Sequence, residues 1–408
     1  MTASGASLGP ILEALYARIP MGMRLGLDAM KSAAARFDHP EASFAAVHVA
    51  GTNGKGSVSA MLESIARAAG LRTGLYTSPH LCRFAERIRI DGEPIDDAWL
   101  GALLARALAD EANLSFFEAA TLAAFLAFRE ARVDLAVVEV GLGGRLDATN
   151  ILPRPRAAAI TRIALDHTAR LGPTLVDIAR EKAGIAKPGL ELITGPMAPE
   201  VLAAIEEVAH AKGATVTPAP ELLQRFGRVP PVGLPGAHQR ENARVAVALA
   251  EHLALPADAI ARGLADVHWP GRLERIGPYL LDAAHNPDGA AALVRHIATL
   301  GIPPARTCLV FGALSEKEWE PMLDTLAPVA ASHVYVAPSA MTSALRPAVN
   351  PHEMAARVPG LAASSVAEAM ARADAARSDL IVVAGSILLI GAVRARLLSL
   401  PCDPGVAL

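Results

Sequence analysis

The chain has 408 residues, with 38 Lys and Arg against 41 Asp and Glu, for a net charge of −3. Hydrophobic residues make up 52% and charged residues 19%, which excludes a disordered chain and leaves room for two or three domains of about 150 residues each. Near-neutral charge with only 4% aromatic residues gives neither a phosphate-backbone footprint nor a base-stacking surface, so no nucleic-acid partner is expected.

Cys82, Cys308 and Cys402 are odd in number and far apart, so they form neither a disulfide framework nor a zinc pattern. Met1 to Pro20 carries Glu13 in its apolar stretch and no basic leader, so a signal peptide is not expected. The longest uncharged apolar run, Leu380 to Val393, is split by Gly385-Ser386 and falls short of the roughly 18 residues of a membrane span. The expectation is a cytoplasmic monomer with no membrane partner.

In chain order, apolar β-rich runs at Phe44–Val49, Gly74–Thr77, Leu135–Val140, Ala157–Ile163 and Leu190–Thr194 alternate with helical patterns such as Ser57–Ala69, Glu118–Ala131 and Leu175–Ala186. Strands this continuously hydrophobic are covered on both faces, which predicts an α/β fold with a mainly parallel sheet. The proline-rich stretch Pro218–Pro235 reads as a crossover within this first domain, because helical patterns resume at Gln239–His252 and Ala257–Leu264. Trp269-Pro270-Gly271-Arg272 reads as a hinge. A second α/β series follows, with strands at Tyr279–Ala283, Cys308–Phe311, His333–Val336 and Leu380–Ala384. The predicted domains are residues 1–270 and 271–408, and a cleft between them would suit a ligand.

Between the first predicted strand and its helix lies Ala50-Gly51-Thr52-Asn53-Gly54-Lys55-Gly56-Ser57. Glycines let backbone N–H groups face a polyphosphate, and the helix N-terminus adds its positive end. Lys55 supplies a point charge for the terminal phosphates and Ser57 a hydroxyl for Mg²⁺. The spacing departs from the strict phosphate-loop pattern, since Gly56 separates Lys55 from Ser57. The plain alternative is a glycine-rich turn with a solvated lysine; strand before and helix after favour a nucleotide, with ATP the choice.

Acidic and imidazole groups stand at other strand ends. Glu139 lies inside an apolar strand ahead of Gly141, Gly143 and Gly144, so it should meet a cation or a strong donor. Asp166-His167 and Ser78 follow two further strands, His167 as a ligand or acid/base group and Ser78 as a hydroxyl donor. Asp282 and His285 end a strand in the second series, before a helix that Pro287 can open. An N-cap with a surface histidine explains Asn286 but not Asp282. Lys182, near a helix C-terminus, reads from spacing alone as a solvated charge favoured by the dipole.

These blocks stand in one order: His48 through Ser57, Thr77-Ser78-Pro79-His80-Leu81 with Glu86-Arg87-Ile88-Arg89-Ile90, Glu139 through Asn150, Leu165-Asp166-His167-Thr168, Glu181 through Ile185, Pro270-Gly271-Arg272, and Asp282 through Pro287. In that order the chain resembles the folylpolyglutamate synthase/dihydrofolate synthase family of the Mur-ligase superfamily along nearly its whole length. The resemblance implies a P-loop Mur-ligase central-type domain followed by a smaller Rossmann-like glutamate-ligase domain. It further implies an ATP-dependent ligase that uses Mg²⁺ and joins L-glutamate to dihydropteroate and to tetrahydrofolate through an acyl phosphate.

Carried over by position, Asn53, Gly54, Lys55, Gly56, Ser57, Asn242, Arg272 and Asp282 bind ATP. Ser78, Glu139, His167 and a carboxylated Lys182 hold the metal. Arg24, Leu25, Gly26, Ser115, Phe116, Phe117, Glu118, Leu146, Asp147 and Ala148 line the pterin site. Lys55, His167, Lys182, Asp282 and His285 serve catalysis. Arg24 stands where the bifunctional bacterial pattern carries an acidic residue. The alternatives are a monofunctional folylpolyglutamate synthase, a cell-wall ligase acting on a UDP-sugar peptide, and a nucleotide-sensing protein that makes no amide.

Overall fold

The computed structural model describes residues 8–19, 26–219, 229–338 and 347–403, and Arg24 and Leu25 lie outside them. The chain divides into two compact units. The first comprises residues up to Pro79, Ala85–Gly233 and His238–His268; the second comprises His80–Phe84, Leu234–Ala237 and the chain from Trp269 onward. The stretch Pro218–Pro235, expected to be a crossover inside the first domain, thus ends with Leu234 and Pro235 in the second unit.

The first unit is built on eight strands: β1 Ala45–Ala50, β2 Thr73–Tyr76, β3 Ile88–Ile90, β4 Glu93–Pro94, β5 Leu135–Glu139, β6 Ala157–Ile160, β7 Glu191–Thr194 and β8 Thr215–Pro218. Their order is β4-β3-β2-β5-β1-β6-β7-β8, parallel except where β3 pairs with β2 and β4. β1 lies at the centre, its Val49 opposite Glu139 of β5, so the phosphate-loop segment and Glu139 emerge side by side at the carboxyl edge. On one face, Ala158, Ile160 and Leu192 pack against Ile178, Ala179, Val201 and Ile205 of the helices Leu175–Ala183 and Pro199–Ala211. The helix Lys55–Ala68 packs against Ala257–Asp266 so closely that a Cβ on Gly263 would lie 2.4 Å from the Ile65 Cα. Ser64 Oγ donates to the Gly263 carbonyl at 2.8 Å across that contact.

The second unit carries β9 Glu274–Ile276, β10 Tyr279–Leu281, β11 Thr307–Phe311, β12 Ser332–Val336, β13 Leu361–Ala363 and β14 Leu380–Ala384. They are ordered β13-β12-β11-β14-β10-β9, all parallel except β9. Alternate residues of single strands enter separate cores: Leu309, Phe311 and Val382 join one, Cys308, Val310 and Val383 the other. That is the strand period of two read on a sheet covered on both faces. The apolar run at 380–393 is β14 followed by the helix Ile387–Leu398. Among the described residues no helix is long and apolar enough to cross a membrane.

Candidate active site

The loop after β1 is shaped by two left-handed glycines, Gly51 at φ 148° and Gly54 at φ 91°. A Cβ on Gly51 would lie 1.8 Å from Thr161 Oγ1, and one on Gly54 would lie 2.3 Å from Asn242 Oδ1, so only glycine fits either place. The predicted strand Ala157–Ile163 ends early at Ile160, because the next residues are engaged with the loop. Thr52 N–H donates to the Arg162 carbonyl at 2.8 Å, Thr52 Oγ1 donates to the Ala164 carbonyl at 3.1 Å, and Thr161 Oγ1 donates to the Asn53 carbonyl at 2.8 Å. Asn242, on the helix Ala237–His252, is oriented by its donation to Gln239 Oε1 at 3.0 Å. The loop is thus held from both sides before any ligand arrives. Lys55 and Ser57 open the following helix.

Glu139 ends β5 almost fully buried. Its expected cation is Lys55, whose Nζ lies 4.0 Å from Glu139 Oε1, and its expected donor is the Ser78 N–H, 3.3 Å from Oε2. Lys55 Nζ also donates to the Thr52 carbonyl at 3.1 Å. His167 is exposed and left-handed at φ 52°, its N–H donating to Asp166 Oδ1 at 2.9 Å.

Lys182 overturns the reading made from spacing. It is buried, 4% exposed, near the end of the helix Leu175–Ala183. The Gly143-Gly144 turn lies so close that a Cβ on Gly144 would sit 2.8 Å from the Glu181 and Lys182 carbonyls. Burial, seconded by the nearby Lys55 charge, drives the Lys182 amine down to about 7 against the opposing pull of Asp166, Asp147 and Glu181.

The pterin candidates divide. Phe116 stacks on Tyr16 at 5.6 Å and lies beneath the buried Arg87 guanidinium at 5.2 Å. The Phe117 ring would be 2.3 Å from a Cβ on Gly141, so the aromatic start of the helix Phe116–Ala131 and the glycine loop meet. Glu118 Oε2 is spent on a capping box, accepting from Ser115 N–H at 2.8 Å and Ser115 Oγ at 2.6 Å. Asp147 is buried with Ala148; its carboxylate accepts from Leu142 N–H at 2.8 Å and Thr149 N–H at 3.0 Å. Burial pushes its pKa up and these donors pull it back. Leu146 lies on the same loop, and Gly26 has a φ of 127°.

In the second unit, Asp282 sits one residue past β10, with Oδ2 accepting from Leu273 N–H at 2.9 Å and Oδ1 from Ala284 N–H at 3.0 Å. Burial raises its pKa, and the adjacent Arg272 charge and then these donors oppose the rise, with His285 the smallest influence. His285 Nδ1 pairs with the Ala283 carbonyl at 2.8 Å, and Asn286 caps the helix Pro287–Thr299 through Gly289 N–H at 2.9 Å. Arg87 and Thr161 carried no role in the sequence reading. Neither could have been found: Arg87 stands among Arg83, Glu86 and Arg89, so nothing in the sequence marks it as the buried one, and the part of Thr161, just past β6, is to meet Gly51 from a distant segment.

Two family models match the chain, Mur ligase middle domain over residues 49–191 and Mur ligase, glutamate ligase domain over 271–387. A folylpolyglutamate synthase from Lacticaseibacillus casei is 36% identical over 393 residues, covering 86% of this chain and 90% of the relative. The chain belongs to the folylpolyglutamate synthase/dihydrofolate synthase family of Mur ligases. A probable bifunctional folylpolyglutamate synthase/dihydropteroate synthase from Haloferax volcanii is 34% identical over 90% of this chain. The chain spans about half the length of that archaeal relative, 48%. Among solved structures, E. coli FolC in complex with DHPP and ADP superposes with a TM-score of 0.87 at 31% identity, covering 98% of this chain and 99% of that one. The Yersinia pestis bifunctional folylpolyglutamate synthase/dihydrofolate synthase with Mn, AMPPNP and L-glutamate bound does so at 0.84 and 33%, covering 97% and 99%.

The residues present suit the divalent ion that such relatives carry. Among the described residues no three His, Cys, Asp or Glu side chains converge into a closed metal cage. One buried carboxylate, Glu139, stands beside Ser78 at the mouth of the loop instead. A sparse oxygen set fits Mg²⁺, which keeps several waters and takes its other ligands from phosphate.

Proposed function

We propose that this chain is an ATP-dependent ligase that joins L-glutamate to 7,8-dihydropteroate and to tetrahydrofolate mono- or polyglutamates. The observation that carries the reading is the Glu139 carboxylate set 4.0 Å from the Lys55 ammonium at the glycine loop, within a chain of this family.

A carboxylate oxygen is a poor leaving group, and phosphorylation corrects this. The substrate carboxylate attacks the γ-phosphorus of ATP, the bond to the β-phosphate oxygen breaks, and ADP departs from an acyl phosphate. The glutamate amine then attacks the acyl carbon, loses a proton, and expels inorganic phosphate as the amide forms. The chain's part is chiefly positioning and charge stabilisation. Backbone N–H groups of Gly54 through Ser57 cradle the phosphates, Asn53, whose own N–H is held by the Arg162 carbonyl, sets the loop against them, Lys55 neutralises charge on the transferred group, and Asn242 supports the loop at Gly54. Ser78, Glu139, His167 and Lys182 are assigned to the divalent ion, which supplies Lewis-acid neutralisation of phosphate charge when bound. From the second unit, Arg272 and Asp282 are assigned to the nucleotide and His285, with Asp282, to the incoming amine. Arg24, Leu25, Gly26, Ser115, Phe116, Phe117, Glu118, Leu146, Asp147 and Ala148 are assigned to the pteridine acid.

Lys182 has the chemistry for its assignment. A lysine held near 7 is about half unprotonated amine at neutral pH, against under a thousandth or so for an ordinary lysine, and that is the form that attacks CO₂. Loss of one proton then leaves a carbamate, an anionic oxygen ligand in place of a cation.

ADP release measured in parallel with dihydropteroate plus glutamate and with tetrahydrofolate plus glutamate tests the reading. Turnover of both is expected. Turnover of tetrahydrofolate alone reduces the chain to a folylpolyglutamate synthase, the name its L. casei relative bears. Turnover of neither, with a UDP-sugar peptide accepted instead, overturns the proposal.

A further inference from the structure

His48 belongs to β1, three residues before Gly51, and its imidazole is fully buried in an otherwise apolar strand. Its Nε2 lies 2.8 Å from Thr149 Oγ1, and that hydroxyl also pairs with Asp147 Oδ1. Asp147 Oδ1 already accepts the Thr149 N–H, so it takes the Thr149 hydroxyl proton as well, and the Thr149 oxygen must accept from His48 Nε2–H. The direction of the whole chain follows: imidazole to hydroxyl to carboxylate. The tautomer leaves Nδ1 bare, and Nδ1 has no hydrogen-bond partner among the described residues, as this requires. Burial, with Lys187 nearby, drives His48 down to about 3, so the ring stays neutral with its one proton on Nε2.

We propose that His48 is a positioning residue for the pteridine acid, acting through Thr149 to fix the Asp147 carboxylate and with it the loop from Gly141 to Asn150. The inference rests on the ligase reading above for what the loop binds. Asp147 accepts from Leu142 N–H at one end of that loop and Thr149 N–H at the other. Losing the relay therefore frees both ends, although His48 itself lies on the strand that leads into the phosphate loop. A residue on that strand would be expected to govern ATP; the hydrogen bonds tie this one to the other substrate.

The test compares His48→Leu, Thr149→Val and His48→Gln, whose amide nitrogen stands the same number of bonds from Cβ as Nε2. One hydrogen bond to an oriented group corresponds to about a tenfold effect. His48→Leu and Thr149→Val should therefore raise KM for the pteridine acid about tenfold while KM for ATP stays within about twofold, and His48→Gln should recover most of the loss. Amide exchange at Leu142 and Thr149, followed without substrate, should quicken in the first two variants and return toward the parent rate in His48→Gln. Equal rises in both KM values, or His48→Gln matching His48→Leu with the parent melting temperature, overturn the inference. Should the parent release no ADP with any pteridine acid, the ligase reading fails, and the exchange rates still judge the relay.

Discussion

Replacing Lys182 with methionine separates what the buried amine costs the fold from what it does for the reaction. The unfolded chain holds the Lys182 proton up to its ordinary 10.5, whereas burial lets the folded chain hold it only to about 7. Between those values the unfolded state binds more protons, so the parent gains stability as pH rises, and below 7 the full cost of a buried ammonium is present. At about 1.4 kcal/mol per pKa unit, the cost is about 5 kcal/mol at pH 6 and about 2 kcal/mol at pH 9. Lys182→Met, with a side chain of similar length and no charge, should exceed the parent in stability by those amounts while losing most ligase activity. Urea unfolding at the two pH values, in CO₂-free buffer, measures the gap. Trp99 is the only tryptophan of the first unit, so its fluorescence reports that unit once Trp269 and Trp319 are replaced by Phe. Bicarbonate should stabilise the parent and leave the variant unchanged, because only the parent can form a carbamate. A gap that does not narrow toward pH 9, or a variant weaker than the parent at pH 6, refutes the reasoning.

Glu139→Gln removes the charge of a buried carboxylate facing Lys55, so the Mg²⁺ concentration needed for half-maximal ADP release should rise by at least about tenfold, measured by metal titration at fixed ATP. Gly54→Ala places a methyl 2.3 Å from Asn242 Oδ1 at a left-handed φ; KM for ATP should rise, and adding Asn242→Ala should recover only part of it, since the backbone strain persists. Asn286→Ala deletes the cap at Gly289 N–H and should cost the second unit about 1 kcal/mol in urea unfolding, with the first unit's transition unmoved.

The sheets were legible wherever strands ran apolar without interruption, as at β1, β5 and β14, because burial on both faces leaves no alternation to misread. The edges were not. β4 and β9 are short and carry charges such as Glu93 and Glu274, and β8 ends in Pro218, all of which suit an edge but imitate a loop, as does the short, charged β3 next to the edge. Glu139 announced itself as a carboxylate without a reason to be in a strand. Lys182 did not, since its burial depends on segments distant in sequence, such as the Gly143-Gly144 turn that packs on its backbone some forty residues away. The transfer of His80–Phe84 and Leu234–Ala237 to the second unit was equally hidden, because it depends on packing and not on composition.

In the second sheet, neighbouring residues of one strand answer to different cores, Leu309 to one and Val310 to the other. Parity along the strand therefore acts as an address. Trimming Leu309 to Ala and Val310 to Ala loosens opposite sides of the same backbone, and their effects should sum when the sides relax independently. An engineer could soften one side of the sheet and stiffen the other by editing consecutive codons.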